Sequence, residues 1–180
     1  MSCVDTDLVT GRGRSSKKTG LTAEQEEAWF AYMRVVLRLE YELNRQLQQD
    51  NDLSLADYGV LNALADSPDG RLQVTSLSIR IGWELSRVSH HLRRMEARAL
   101  VRRERSAADG RATEAVLTTI GNEIVRMATP GHVALVKRLF FDGLPEELLP
   151  SLTQALEAVH EQVLAEGTLP RPESRQTRWV

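Results

Sequence analysis

Ser86, Arg87, Ser89, His90, Arg93 and Arg94 fall within one short stretch, and Asp109 and Arg111 follow across a basic run. These side chains suit recognition by hydrogen bonds rather than bond making. Arginine offers a planar fork of donors that matches guanine O6 and N7 or two phosphate oxygens, and serine and histidine reach base edges or phosphates. Ser, His and Asp also occur together in hydrolases. Here, however, no nucleophile motif, glycine-rich phosphate loop or paired metal-ligand helix surrounds them, and no enzyme activity is expected. The four histidines (His90, His91, His132 and His160) lack Cys or carboxylate partners at ligand spacing. Neither a metal nor a cofactor is expected.

Spacing decides which of these groups act together. With successive residues about 100° apart on a helix, Leu85, Val88, Leu92 and Met95 make an apolar stripe that must pack inward. Ser86, Arg87, His90 and Arg94 stand opposite, with Ser89 and Arg93 on a flank. Ser86, Arg87 and His90 are nearest the helix N-terminus, the end that usually enters a DNA groove, so they are the foremost base-reading candidates. Within the helix alone a second reading stays open: a solvated face whose arginines pair with Glu84 and Glu96. The following hairpin favours DNA. Arg102, Arg103, Arg105 and Arg111 crowd into it with Glu104 and Asp109 as the offsetting charges. A guanidinium at a hairpin tip suits a narrow minor groove, where the negative potential is strongest. Asp109 is placed to hold the Arg111 side chain through a carboxylate–guanidinium pair.

The elements that must position these groups follow from periodicity and punctuation. Thr22 and the acids Glu24, Glu26 and Glu27 predict a helix start, and Trp29, Met33, Val36, Leu37, Leu43 and Leu47 recur to about residue 50. Ser54 is a plausible N-cap for a second helix, which stops at Ser67-Pro68-Asp69-Gly70. A short third helix carries Val74, Leu77 and Ile81 and breaks at Gly82, and a fourth runs from about 83 to 98. Two helices across one tight glycine turn form a helix-turn-helix pattern. Residues 101–105 and 112–117 read as strands around a tip at 107–110. Thr118 opens a fifth helix that Pro130-Gly131 should kink or interrupt, as a hinge or a static bend. Pro145 suits the first turn of a sixth helix marked by Leu148, Leu152, Leu156, Val159 and Val163.

Composition agrees with one globular domain of ordinary apolar content in a 180-residue chain. The formal charge is −2, yet ten arginines between Arg71 and Arg111 face only four acids, so +6 there is balanced by −8 elsewhere. One cationic face on an acidic body is the footprint of a DNA binder. No apolar run is long enough to span a bilayer, so no membrane contact is expected. Residues 1–20 and 167–180 read as flexible tails. The one cysteine, Cys3, rules out an intrachain disulfide and lies far from any cationic helix end, so peroxide sensing through it is not expected. A cytoplasmic location is the expectation.

At the wing the sequence resembles a known family. Asp109 and Arg111, followed after five residues by Leu117 and Thr118, form a D-x-R…L-T signature, with RVSHHLRRME before it and LVRRE entering it. These residues resemble the MarR (multiple antibiotic resistance regulator) family of bacterial winged-helix transcription factors, over about residues 22 to 165. The resemblance implies a mainly α fold with a small β-hairpin wing. A winged helix-turn-helix lobe would span 54–117, and dimerisation helices 22–50 and 118–166 would complete one domain over 21–166. It also implies a homodimer on a pseudo-palindromic double-stranded DNA operator, acting as a repressor and associated with the nucleoid when bound. Ser86, Arg87, Ser89, His90 and Arg94 would face the major groove, Arg111 would enter the minor groove, and Asp109 would be its partner. A small aromatic or lipophilic effector would bind a cleft lined by Trp29, Tyr32, Tyr58, Trp83 and His132, although residue by residue the favoured reading of these side chains is that they fill the core. Two departures stand out: Ala99 where glycine is common, costing about 1 kcal/mol if left-handed, and Ser78 in place of a small apolar residue. A non-specific architectural DNA-binding protein is the alternative, and it would need basic charge spread more widely.

Overall fold

The computed structural model describes residues 20–107 and 109–172. Most of the two expected tails, Cys3 and Ala108 at the hairpin tip lie outside the described residues. Helix α1 (Ala23–Asn51) starts where Thr22 and Gln25 cap each other. The Gln25 N–H donates to Thr22 Oγ1 at 3.2 Å, and the Thr22 N–H donates to Gln25 Oε1 at 2.9 Å. The chain groups into two compact units that divide within α1, after Val36.

Helix α2 (Leu55–Ala65) is opened by a second reciprocal cap, between Ser54 and Asp57. It is buried on nearly every side, through Tyr58, Gly59, Val60, Leu61, Ala63 and Leu64. A helix apolar all round belongs in the middle of a core, and Leu77, Val88, Leu92, Met95, Leu100 and Val101 close around it. Helices α3 (Val74–Ile81) and α4 (Leu85–Ala97) are separated by Gly82, which caps α3 in the left-handed region at φ 71°. This is the helix-turn-helix that the glycine break predicts.

Strands β2 (Val101–Arg105) and β3 (Thr113–Leu117) form the expected hairpin. A third strand, β1 (Arg71–Gln73), pairs antiparallel with the other edge of β3 and sets Leu72 opposite Ala115, giving the order β1–β3–β2. Three residues carry no readable alternation; β1 exists because β3 offers it a free edge. Ala99 links α4 to β2 and does take the left-handed conformation, at φ 56°. Its N–H donates to Glu96 O, and the Leu100 N–H returns to Met95 O, which ends α4 in a Schellman-type turn.

Helix α5 (Thr119–Val136) is capped by Thr118. The interruption expected at Pro130-Gly131 does not occur: α5 runs unbroken to Val136. Pro130 and Arg126, whose carbonyl loses its helical donor, are both exposed, so water can serve that carbonyl. The irregularity falls later, at residues 137–141, where the ladder slips to an i→i+5 bond from the Asp142 N–H to Lys137 O (2.9 Å). Pro145 precedes a separate short turn, Glu146–Leu148, rather than opening the last helix. Helix α6 (Leu149–Glu166) takes Pro150 in its first turn, where a missing N–H removes no helical bond. No described helix is long and apolar enough to cross a membrane.

Candidate nucleic-acid interface

Helix α4 is held by its inner face. Val88, Leu92 and Met95 are fully buried, as the apolar stripe requires. Leu85 does not join them; it is 45% exposed at the start of the helix, because the chain has only just left the turn and the side chain lies on the cleft beside the wing. On the outer face Ser86, Arg87, His90, Arg93 and Arg94 are all exposed. Ser89 is only half-exposed, and its hydroxyl donates to Leu85 O at 2.8 Å, so its proton is committed and its oxygen is left as an acceptor.

Half of the arginines between 71 and 111 are used within the protein. Arg71 pairs with Glu104 and Glu114, Arg80 with Asp66, Arg98 with Asp52 and Asp57, Arg102 with Glu104, and Arg103 with Glu96. The other five, Arg87, Arg93, Arg94, Arg105 and Arg111, make no ion pair among the described residues. The pairing of the α4 arginines with Glu84 and Glu96 that the solvated-face reading expects does not form among the described residues, and Glu96 is engaged elsewhere. That carboxylate takes Arg103 Nε at 2.8 Å and Nη2 at 2.7 Å, and its other oxygen takes the Arg103 N–H at 3.0 Å. The Arg103 guanidinium contact is the main cause that holds the Glu96 carboxyl below the usual range. Glu96 therefore fastens the wing to α4.

The described residues flanking the wing tip are tied together by hydrogen bonds. Ser106 is buried and donates to Glu114 Oε1 at 2.7 Å, while the Ala112 N–H closes onto Asp109 O at 2.9 Å. Asp109 Oδ1 accepts from the Arg111 backbone N–H at 3.0 Å. The expected pair with the Arg111 guanidinium is not formed. A short carboxylate in a tight turn meets the amide two residues on before it meets the end of a long side chain. Asp109 thus shapes the turn, and the Arg111 side chain projects free. A cleft of about 280 Å³ separates α4 from the wing, with Leu85, Ser89 and Leu92 on one side and Arg103, Arg111 and Thr113 on the other.

A model of the MarR family matches residues 51–112. The transcriptional regulator HosA of Escherichia coli O157:H7 is 39% identical over 113 residues, 63% of this chain and 76% of that protein. The crystal structure of AbsC, a MarR family transcriptional regulator from Streptomyces coelicolor, matches with a TM-score of 0.77 at 36% identity, over 81% of this chain and 98% of AbsC. The chain belongs to the MarR family. It is a winged-helix transcriptional regulator. Another MarR family structure, Sco3205 from Streptomyces coelicolor in complex with DNA, matches with a TM-score of 0.78 at 38% identity, over 84% of this chain and 98% of Sco3205.

Several residues that organise this candidate interface escape sequence reasoning. Asp57 is buried at the start of α2, with His91 Nε2 of α4 at 2.9 Å and Arg98 Nη1 at 3.0 Å. Burial alone would raise the Asp57 carboxyl. The His91 imidazole beside it and the hydrogen bonds with Ser54 outweigh that, and it stays ionised far below the usual carboxylate range. The Ser54-x-x-Asp57 spacing was the available signal for the cap, but nothing local announces His91 or Arg98. The aromatics put forward for an effector cleft form pairs. Trp29 and Tyr32 stack on one another at 5.5 Å and are at least half exposed. Tyr58 lies 4.5 Å from His132, both buried. Trp83 meets His91 edge-on at 5.4 Å.

Proposed function

We propose that this regulator is a homodimer that binds a pseudo-palindromic operator and represses by occluding a promoter. Residues 54–117 carry the DNA contact, and helices 22–50 and 118–166 form the dimer. The observation that carries the reading is the set of arginines left unpaired. Of the ten arginines between 71 and 111, Arg87, Arg93 and Arg94 on α4 and Arg105 and Arg111 on the wing have no carboxylate partner among the described residues, whereas Arg71, Arg80, Arg98, Arg102 and Arg103 do. Leaving guanidinium groups unneutralised on two adjoining elements suits a polyanion that binds both. In this reading Ser86, Arg87 and His90 address base edges, with Ser89 offering its oxygen as an acceptor. Arg93 and Arg94 reach phosphates, and Arg111 enters the minor groove from a turn that Asp109 shapes. The DNA-bound state of Sco3205, a relative of similar length, supports the assignment.

The dimer rests on α6, none of whose residues is buried. Leu156, Val159 and Val163 recur along it at helical spacing, Leu148 stands just before its start, and each is 47% or more exposed. A second copy of this chain would cover that stripe and set two recognition helices about one DNA turn apart. A small aromatic or lipophilic effector would act by favouring a spacing of those helices that misfits the operator.

Salt titrations with DNA flanking the protein's own gene and with random duplex test the reading. Preference for the flanking DNA is expected, whereas equal affinity at every salt concentration would indicate a non-specific architectural protein. Arg111→Ala should weaken operator binding by roughly tenfold or more while the dimer persists. Unchanged affinity would remove Arg111 from the interface.

A further inference from the structure

Trp83 occupies the turn between α3 and α4, half-buried against the core, with its backbone N–H donating to Ser78 O at 2.9 Å. The indole has two neighbours on α4. The Arg87 guanidinium carbon lies 4.0 Å from the ring centroid, over the ring. His91, one turn further along, meets the indole at 87° with centroids 5.4 Å apart. Behind His91 stands the Asp57 carboxylate, 2.9 Å from Nε2. Asp57 is itself fixed by the Ser54 cap and by Arg98. A continuous line of contacts thus runs from the buried start of α2 out to one exposed arginine.

An exposed arginine on a helix ordinarily samples many rotamers, and ordering it on DNA costs free energy. Arg87 is already ordered, and by an aromatic face rather than an acceptor. A carboxylate partner would occupy its donors and neutralise its charge. A ring does neither, so the guanidinium remains able to address guanine O6 and N7 or a phosphate. Arg93 and Arg94, equally exposed, have no such support among the described residues.

We infer that Trp83 is a positioning residue for Arg87, and that the line Asp57–His91–Trp83 fixes which base pair Arg87 selects. The inference rests on the reading of Arg87 as a base reader. Arg87 then contributes sequence preference, while Arg93 and Arg94 contribute charge.

The test is selection from a duplex library with a randomised core, using the full chain and its Trp83→Leu, Trp83→Phe and Arg87→Ala variants. Arg87→Ala should abolish preference at one position of each half-site. Trp83→Leu should weaken preference at that same position by roughly three- to tenfold, with Trp83→Phe in between. Trp83→Leu should leave the salt dependence of binding as in the parent, since no phosphate contact is lost. In an Arg87→Ala background it should change nothing further. If Arg87→Ala keeps the full preference, the base-reading role of Arg87 falls. If Arg87→Ala loses the preference while both Trp83 variants keep it, only the role of Trp83 falls. A loss confined to Trp83→Leu and accompanied by a lower melting temperature would assign Trp83 to packing and equally overturn the inference.

Discussion

His132 shows how much a single side chain contributes through its surroundings. It is 3% exposed against the ring of Tyr58, and its Nδ1 has no hydrogen-bond partner among the described residues. The Tyr58 hydroxyl turns elsewhere, to Thr129 Oγ1 at 3.2 Å, whose own proton goes to Val125 O. Burial therefore pushes the imidazole below its ordinary value of 6.5. The folded chain takes up this proton less readily than the unfolded chain does. The stability involved is complete above the ordinary value and is lost as pH falls from there through the lowered one. Asp57 acts in a separate window, because its stabilisation is lost only as pH falls below the ordinary 3.8. The melting temperature should thus decline as pH falls below the ordinary 6.5, and His132→Phe should flatten that decline. Circular-dichroism melts at several pH values measure it, and parallel slopes for parent and variant would show that another group is responsible.

Among the elements, the root of the wing is the most constrained junction. Thr118 Oγ1 donates toward Ala99 O (2.7 Å) and Leu100 O (3.0 Å) and accepts the Gly121 N–H at 2.9 Å, so one hydroxyl ties the α4–β2 link to the start of α5. The approach is so close that a Cβ on Gly121 would sit 2.1 Å from Leu100 O. That oxygen belongs to backbone and cannot swing aside. Gly121→Ala should force α5 away from the wing root and cost about 2–3 kcal/mol. Urea denaturation should show a lower midpoint at unchanged slope, and an unchanged midpoint would mean that the junction yields freely. Glu96 and Arg103 brace the same wing from α4, so its two anchors are independent.

For the whole molecule, the charge asymmetry and the open apolar stripe point in different directions. Between Arg71 and Arg111, internal ion pairs thin the cationic side until the arginines left unpaired there lie on α4 and the wing. The stripe on α6 is what a second copy would bury, and Val159, at 63% exposure, is its most open member. If the proposed dimer forms through this stripe, Val159→Glu should leave a monomer in sedimentation at micromolar concentration, without lowering the secondary-structure content. Operator binding should fall with it, because the two half-sites would no longer be engaged together. A variant that sediments as a dimer would place the interface elsewhere.

Much of the winged frame was legible in the sequence because its signals are local. Gly82 breaks two helices, Ser54 and Thr118 start others, and Val88, Leu92 and Met95 recur at the helical period. The D-x-R…L-T spacing marks the wing. Where long-range contact decides, the sequence was silent or misleading. Strand β1 needed the edge of β3, Leu85 kept its helical phase but stayed half-exposed on the cleft beside the wing, and Pro130 stayed within α5. Asp109 chose the nearest amide over the guanidinium two residues away. The same limit applies to charge. Counting arginines located the cationic region from composition alone. Only the packed structure decided which of them are free, because every one of their ion pairs except Arg102–Glu104 joins groups that folding brings together.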